Sequence, residues 1–447
     1  MIDVSPNMGT ALRHNVGLAL SGGGSRAAAF HRGTLQALAD VGLLPQIEVV
    51  STVSGGSVFA AGWMAAIAKG LPVGAFLESM KETLGRGFVR PALLSPKVFK
   101  ILLPGHNRTT RMAEVFDNLL TNGLRLMELP ECPLLCINTT VLNHGQVGRF
   151  SRGGFSCRSL GSRGGAGGYS VFPAPGVTLG LAAAASAAFP FGLPPLKVFP
   201  RDISGAEFTA ELAGHACLLL TDGGVLENLG VQTLLRSGRF GARHLVVSDA
   251  GTEEKPFRPG RLWARVNSFG AFALTPDILE RLVSVMNSKE NRSMRQLLTF
   301  EVGAVDPPDA ARRLLFVRIN QTWDRFLRGI PVRRRRELAG DCLPIPPVDA
   351  GAIQVESFLL DCGVDLSRAR TIYESMEGDH GAAAANRVRT AFSGLSTVTL
   401  DLLARHAEWQ LHAAYAVYGP VPAETPTTSD ASITDVEAAQ SSRGRQA

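Results

Sequence analysis

Val16-Gly-Leu-Ala-Leu-Ser-Gly-Gly-Gly-Ser-Arg26 opens as a short apolar run, breaks on three successive glycines and continues into Ala28, Leu35, Leu38 and Val41 at helical spacing. The run reads as a strand, the glycines as a tight turn and the periodic stretch as a helix. Ile47-Glu-Val-Val-Ser-Thr-Val-Ser-Gly-Gly56 repeats the pattern. A β-branched run ends at Ser54-Gly-Gly56, and the Ala-rich stretch from Val58 to Ala68 favours helix. Further strands are expected within Pro130–Val141, at Leu218–Asp222 and at His244–Asp249, with helical patterns between them. This alternation predicts an α/β fold, a mostly parallel central sheet with helices on both faces.

The 447 residues are 45% hydrophobic and 19% charged, enough to bury a large core, which excludes global disorder. Forty-five basic against 39 acidic residues give a net charge of +6. That mild excess suits an anionic surface such as a phospholipid membrane, and no nucleic-acid partner is expected. Among six scattered cysteines only Cys132 and Cys136 are close, and no histidine pair or second cysteine pair completes a zinc site. They read as thiols in a reducing compartment. Met1–Val16 lacks the basic start and apolar stretch of a cleaved leader, and the most apolar segment, Leu179–Leu196, is broken by glycine and proline. A cytoplasmic or peripheral-membrane location is expected, with export by a route without a cleaved signal left open; the oligomeric state is not legible.

Ester hydrolysis needs a nucleophile, a base to take its proton and donors aimed at the oxygen that becomes negative. Ser54 stands on a small-residue turn between strand and helix, which lifts a hydroxyl clear of the backbone. Ser57 competes, but one turn into the helix it is placed to cap or pack. Gly22, Gly23 and Gly24 offer consecutive unhindered N–H groups at a helix start, suited to an oxyanion or a phosphate. Gly55, after the candidate nucleophile, is a further candidate for oxyanion or substrate binding, and Arg26 either holds a headgroup phosphate or braces the loop. Asp222-Gly-Gly224 ends an apolar strand, where a carboxylate in a dry setting can act as base. Asp249-Ala-Gly251 is the runner-up carboxylate.

Two rivals share these residues. Gly22-x-Gly24-x-x-Ala27 also satisfies a degenerate dinucleotide fingerprint, but that reading wants an acid at the end of the next strand, where Ser54 stands, and Glu48 lies near the strand's beginning. A Ser-His-Asp triad wants a histidine on a short loop beyond a strand end. None of the nine is so placed: His31 lies in the helix after the glycines and His244 starts a strand. A two-residue Ser-Asp arrangement is expected.

Taken in order, Ser-Gly-Gly-Gly-Ser-Arg26, Ser51-Thr-Val-Ser-Gly-Gly-Ser57 and Thr221-Asp-Gly-Gly-Val-x-x-Asn-Leu-Gly230 resemble the patatin-like phospholipase family, and Asn138-Thr-Thr140 and Ala185-Ser-Ala-Ala-Phe-Pro-Phe191 extend the resemblance. It covers roughly residues 14 to 260. It implies a three-layer α/β fold and lipid acyl hydrolysis with Ser54 as nucleophile, Asp222 as base and Gly22, Gly23 and Gly24 as the oxyanion loop, without metal or organic cofactor. Phospholipid or another acyl lipid is the implied substrate. Thr52 departs from the first elbow glycine, Ser21 from a preceding acid and Ala27 from a following glycine, which keeps a catalytically inactive membrane-binding module as the alternative.

On this reading residues 1–14 form an extension, 15–418 the catalytic domain with a helical part from about 261, and 419–447 a disordered tail without aromatics or apolar periodicity. Ser151–Ser170, crowded with Gly, Ser and Arg, is expected as a mobile surface loop, Pro276–Leu298 as a long helix, and Leu395–Tyr418 as one or two helices. Arg333 to Arg336 with Arg312 and Arg313 are candidates for docking on anionic headgroups, or equally for a solvated loop or an intramolecular salt-bridge patch, and Leu179–Phe189 for lining an acyl pocket or for a plain core helix.

Overall fold

A computed structural model describes residues 14–93, 99, 106–158, 169–190, 192–199, 217–235, 240–252, 293–296, 313–340 and 343–419. The strand-turn-helix units of the sequence form its centre. β1 (His14–Leu20) runs into helix α1 (Gly24–Asp40), and β2 (Ile47–Val53) into helix α2 (Gly55–Ala68). β3 (Leu134–Val141), β4 (Gln146–Ser151), β5 (Gly154–Arg158) and β6 (Tyr169–Phe172) follow. Then come β7 (Leu196–Val198), β8 (Leu218–Asp222), β9 (Ala242–Asp249) and β10 (Leu314–Arg318). The sheet order is β10-β9-β1-β2-β3-β4-β5-β6. Its first five strands are parallel, and β4 to β6 form an antiparallel wing.

The central strands are buried on both faces, which is why they read as continuous apolar runs. Leu18 and Val246 face one core with α1, α2 and the C-terminal helix Thr397–Tyr418; Ala19, Leu245 and Val247 face a second core with Leu229 and Leu234. This is the period-2 alternation of a strand. Helix α1 is buried along almost its whole length between sheet and C-terminal helix, and only Gln36, Ala39 and Asp40 are not fully buried.

The pairing of β3 sets up the site. β2 pairs in parallel with Leu134 onward until Val53 meets Asn138. β8 then arrives antiparallel on the next residues, Asp222 opposite Thr139 and Leu220 opposite Val141. Since β4 occupies the other edge over the same residues, β2 and β8 meet end to end along one edge of β3. The residue after β2 is Ser54 and the last of β8 is Asp222, so adjacent β3 residues bring together two side chains 168 positions apart in sequence.

Ser151–Ser170 departs from the expectation of a loop. Ser151 ends β4 and Gly154–Arg158 forms β5 across a tight turn, because Phe155 and Cys157 bury their side chains and outweigh the turn-forming composition; residues 159–168 lie outside the described residues. So do 276–292, 297–298 and the expected tail from 420 on. Leu395–Tyr418 contains one helix, Thr397–Tyr418.

Within the arginine run Arg334 and Arg335 form an intramolecular clamp, while Arg333 and Arg336 stay exposed. Arg335 is 1% exposed and donates to the carbonyls of Ile330 (3.0 Å), Pro347 (2.6 Å), Pro346 and Arg328. Arg334 holds Val417 O at 2.7 and 2.9 Å and pairs with Glu337, and Arg313 holds Tyr418 O. Arg333 pairs with Glu337, which leaves Arg336 exposed; Arg312 lies outside the described residues. Arg335→Met is expected to cost about 3 kcal/mol in urea unfolding, since it strands several carbonyls in the interior at once. An unchanged midpoint would refute the clamp.

Candidate active site

Ser54 occupies a backbone conformation that L-residues avoid, φ 49° and ψ −116°. Such a turn stores strain of about 1–3 kcal/mol and persists only where its surroundings hold it. Here Ser54 N donates to Ser186 Oγ (2.9 Å), Ser186 Oγ donates to Asn138 O (2.6 Å), and Ser57 and Thr52 complete the buried chain of hydroxyls at 2.8 and 2.9 Å. Thr52 thereby explains its own departure from glycine: its hydroxyl is satisfied by Ser57 and by Cys136 O. Ser57, the competing serine, is spent in this chain and fully buried.

Asp222 is fixed from both sides. Its N–H donates to Ala188 O (3.1 Å), and its own O accepts from Thr140 Oγ1 (2.9 Å). Its carboxylate accepts Gly224 N at 2.7 Å and a hydrogen bond from the Ser54 side chain. Burial raises its pKa from 3.8 to about 6, and the hydrogen bonds from Ser54 and Gly224 pull the other way. Desolvation wins because the group is 3% exposed and, among the described residues, no cation bonds to it. The result is a buried carboxylate in contact with a serine hydroxyl and poised nearer neutrality than an ordinary aspartate. Asp249 is not equivalent, for it is fully buried in an ion pair with Arg295 (Nε to Oδ2 2.9 Å) and accepts Gly251 N.

The three glycines divide their work. The Gly22 amide donates to Asn228 O (3.0 Å), and a Cβ there would stand 2.2 Å from Asn228 Oδ1 and 3.1 Å from Ser54 Cβ. Gly22 is therefore a spacer, not an oxyanion donor, because its N–H is already used. Gly23 (φ 144°) and Gly24 (φ 60°) take conformations open to glycine, and their N–H groups hold no partner among the described residues. They stand at the start of α1, where the helix dipole adds to them. Gly55 packs behind the loop: a Cβ there would lie 2.3 Å from Gly24 O, so the absent side chain lets elbow and loop nest. It does not line the cavity.

Arg26 is 4% exposed and donates to Val388 O (3.0 Å), bracing the loop against the C-terminal part. Burial lowers its pKa to about 10, partly offset by Asp249, so it stays charged at neutral pH. His31 braces the same loop from below. Its Nε2 must donate to Ser21 O (2.9 Å), leaving Nδ1 to accept from Ser248 (2.8 Å), and burial lowers its pKa to about 4. It is a neutral structural histidine, and among the described residues no histidine lines the cavity. Glu48 sits at the start of β2 on His14 and Asn15, far along the strand from where a ribose ligand belongs.

Ser54, Asp222, Gly23, Gly24 and Arg26 open onto one cavity of about 510 Å³, walled by Val89, Met112, Phe189, Leu193 and Phe392. Helix Leu179–Ser186 is buried core; of the expected acyl-pocket segment only Ala187 and Phe189 reach the cavity. Asn228 and Ser186 carry roles the sequence reading did not assign. Asn228 lay inside the quoted third turn and Ser186 inside the Ala-rich segment, but only their hydrogen bonds across 206 and 132 positions show what they hold.

Fold and site together define an α/β protein with a serine-aspartate pair at the ends of two strands and a glycine loop beside it. The family model described as patatin-like phospholipase matches residues 18–235. Among solved structures, human GIVD cytosolic phospholipase A2 is 13% identical with a TM-score of 0.48, over 91% of this chain and 63% of that one. The same protein with methyl gamma-linolenyl fluorophosphonate gives 13%, 0.43, 91% and 59%. VipD from Legionella pneumophila is 14% identical with a TM-score of 0.27, over 90% of this chain and 92% of that one. The chain thus spans less than two thirds of the length of the human structures. None of the curated proteins matches it.

Proposed function

We propose that the protein is a lipid acyl hydrolase that cleaves acyl esters of phospholipids through Ser54 and Asp222. The observation that carries this reading is the contact of a strained, exposed-to-cavity serine hydroxyl with a buried carboxylate whose pKa is raised to about 6. Asp222 takes the Ser54 proton as Oγ attacks the ester carbonyl. The N–H groups of Gly23 and Gly24 meet the developing oxyanion, Asp222 passes the proton to the alcohol that leaves as the ester C–O bond breaks, and water, deprotonated by the again ionised Asp222, releases the acid from acyl-Ser54. The apolar wall of the cavity suits an acyl chain. Among the described residues no helix is long and apolar enough to cross a membrane; the lipid is reached from the surface by peripheral association.

A fluorophosphonate probe tests the assignment. Wild-type protein is expected to form one adduct, on Ser54, located by peptide mass, and Ser54→Ala to form none. Wild-type protein that stays unlabelled in the presence of anionic liposomes would instead favour the inactive membrane-binding module.

A further inference from the structure

The cavity over Ser54 holds more positive charge than ester cleavage requires. Arg26, Arg108 and Arg111 line it against one carboxylate, Asp222. Two of the guanidinium groups are engaged with the protein. Arg26 holds Val388 O; Arg111 holds Pro91 O (3.2 Å) and Ala92 O (3.4 Å) and pairs with Glu114. Arg108 is exposed at the rim and has no hydrogen bond or ion pair among the described residues.

The local chain does not explain an arginine at this position. Arg108 begins helix Arg108–Phe116, whose first turn has no acidic residue, so its charge faces the positive end of the helix dipole unopposed. The helix end is already capped by Asn107 Oδ1, which accepts Thr109 N (2.9 Å) and Thr110 N (3.0 Å). Arg26, 4% exposed, stays charged on the same wall. An anion beside Arg108 would answer the dipole and the surplus charge together.

Arg108 also stands on a boundary. With Leu193 it is shared by a second cavity of about 350 Å³, otherwise lined by Leu142, Pro190, Pro194, Pro195, Thr221 and Val225. A cavity that sets arginines among apolar walls thus opens beside a second, apolar one where Arg108 and Leu193 meet. That juxtaposition fits an amphiphile whose anionic group and alkyl chain diverge from one point.

Resting on the hydrolase reading, we propose that Arg108 is a specificity residue that binds the phosphate of a phosphate-bearing acyl lipid, with the ester carbonyl over Ser54 and an acyl chain in the proline-lined cavity. The planar guanidinium can take two phosphate oxygens at once, which a neutral lipid cannot offer.

Binding to full-length Ser54→Ala protein separates this proposal from the hydrolase reading, because no turnover is needed. Calorimetry would compare dihexanoyl phosphatidic acid, dihexanoylglycerol and glycerol 3-phosphate, with Arg108 intact, as Arg108→Gln and as Arg108→Lys. Phosphatidic acid is expected to bind at least about tenfold tighter than the diacylglycerol, as a charge-assisted pair allows. Arg108→Gln should abolish that preference, and Arg108→Lys should keep part of it. Equal binding of the two lipids, or an equal loss for both in a folded Arg108→Gln protein, would overturn the proposal. Glycerol 3-phosphate binding as tightly as phosphatidic acid, with the same Arg108 dependence, would overturn the lipid and leave a site for free phosphate esters. A phosphate preference in a protein whose Ser54-intact form cleaves no ester would keep Arg108 as an anion site and remove the hydrolase reading alone.

Discussion

Asp222→Asn is expected to lower kcat/KM for a soluble ester by about 10⁴-fold and, at the same time, to make the protein more stable at neutral pH. The two effects have one cause. Asn keeps the shape of the side chain: its Oδ1 can still accept Gly224 N, and its amide can still meet Ser54. The serine stays in place but loses the group that takes its proton. The sign of the stability effect follows from the direction of the pKa shift. Burial raises the native pKa of Asp222 from 3.8 to about 6, so the folded state favours the protonated acid. That favourable contribution is complete below about pH 3.8 and is lost as pH rises through about 6. At pH 7.5 the ionised carboxylate therefore costs about 3 kcal/mol. Urea unfolding at pH 7.5 should show the variant gaining up to that amount, and the gain should vanish near pH 4. The wild-type rate should fall about tenfold per pH unit below pH 6, where the base becomes protonated. A variant that is both inactive and less stable at pH 7.5 would show that the carboxylate is held for structure and not poised at a cost.

The strands and the three turns were legible because their causes are local. A β-branched run followed by small residues needs no distant partner to be read, and β1, β2, β8 and β9 lie where the hydrophobic pattern puts them. What the sequence could not show was commitment. Gly22, Gly23 and Gly24 are indistinguishable as letters, and only the bond from Gly22 N to Asn228 O separates a spacer from its neighbours. The arginine run stayed open between docking and an internal patch for the same reason. Four charges in a row suggest a surface, yet Arg335 faces inward and spends its donors on carbonyls. In Ser151–Ser170 turn-forming composition concealed two buried side chains. Arg108 gave no signal at all, since an arginine at a helix start is unremarkable until the cavity beside it is seen.

Gly33→Val is expected to destabilise the protein by about 4 kcal/mol or more, and to lower activity in whatever fraction remains folded. A Cβ at Gly33 would lie 1.7 Å from Ala404 O. The obstacle is backbone of the C-terminal helix, which cannot turn aside, so the two longest helices among the described residues must separate. Their separation reaches the site because α1 carries Gly24, Ser25 and Arg26 at its start. Ser25 N donates to Ala391 O (2.7 Å), and Arg26 reaches Val388. A Cβ at Gly24 would sit 2.4 Å from Ala391 O. Residues 388–391, beyond the stretch that the family model matches, thus hold the glycine loop against Ser54. Gly74→Ala provides the contrast, since a Cβ there meets nothing within 4 Å, and its stability should stay within about 1 kcal/mol of wild type. If kcat/KM of Gly33→Val, measured well below its unfolding midpoint and corrected for folded protein, equals that of Gly74→Ala, the C-terminal helices only stabilise the fold. A loss confined to Gly33→Val places them in the site, because a shift of the loop by a fraction of an ångström weakens the donors that must meet the oxyanion.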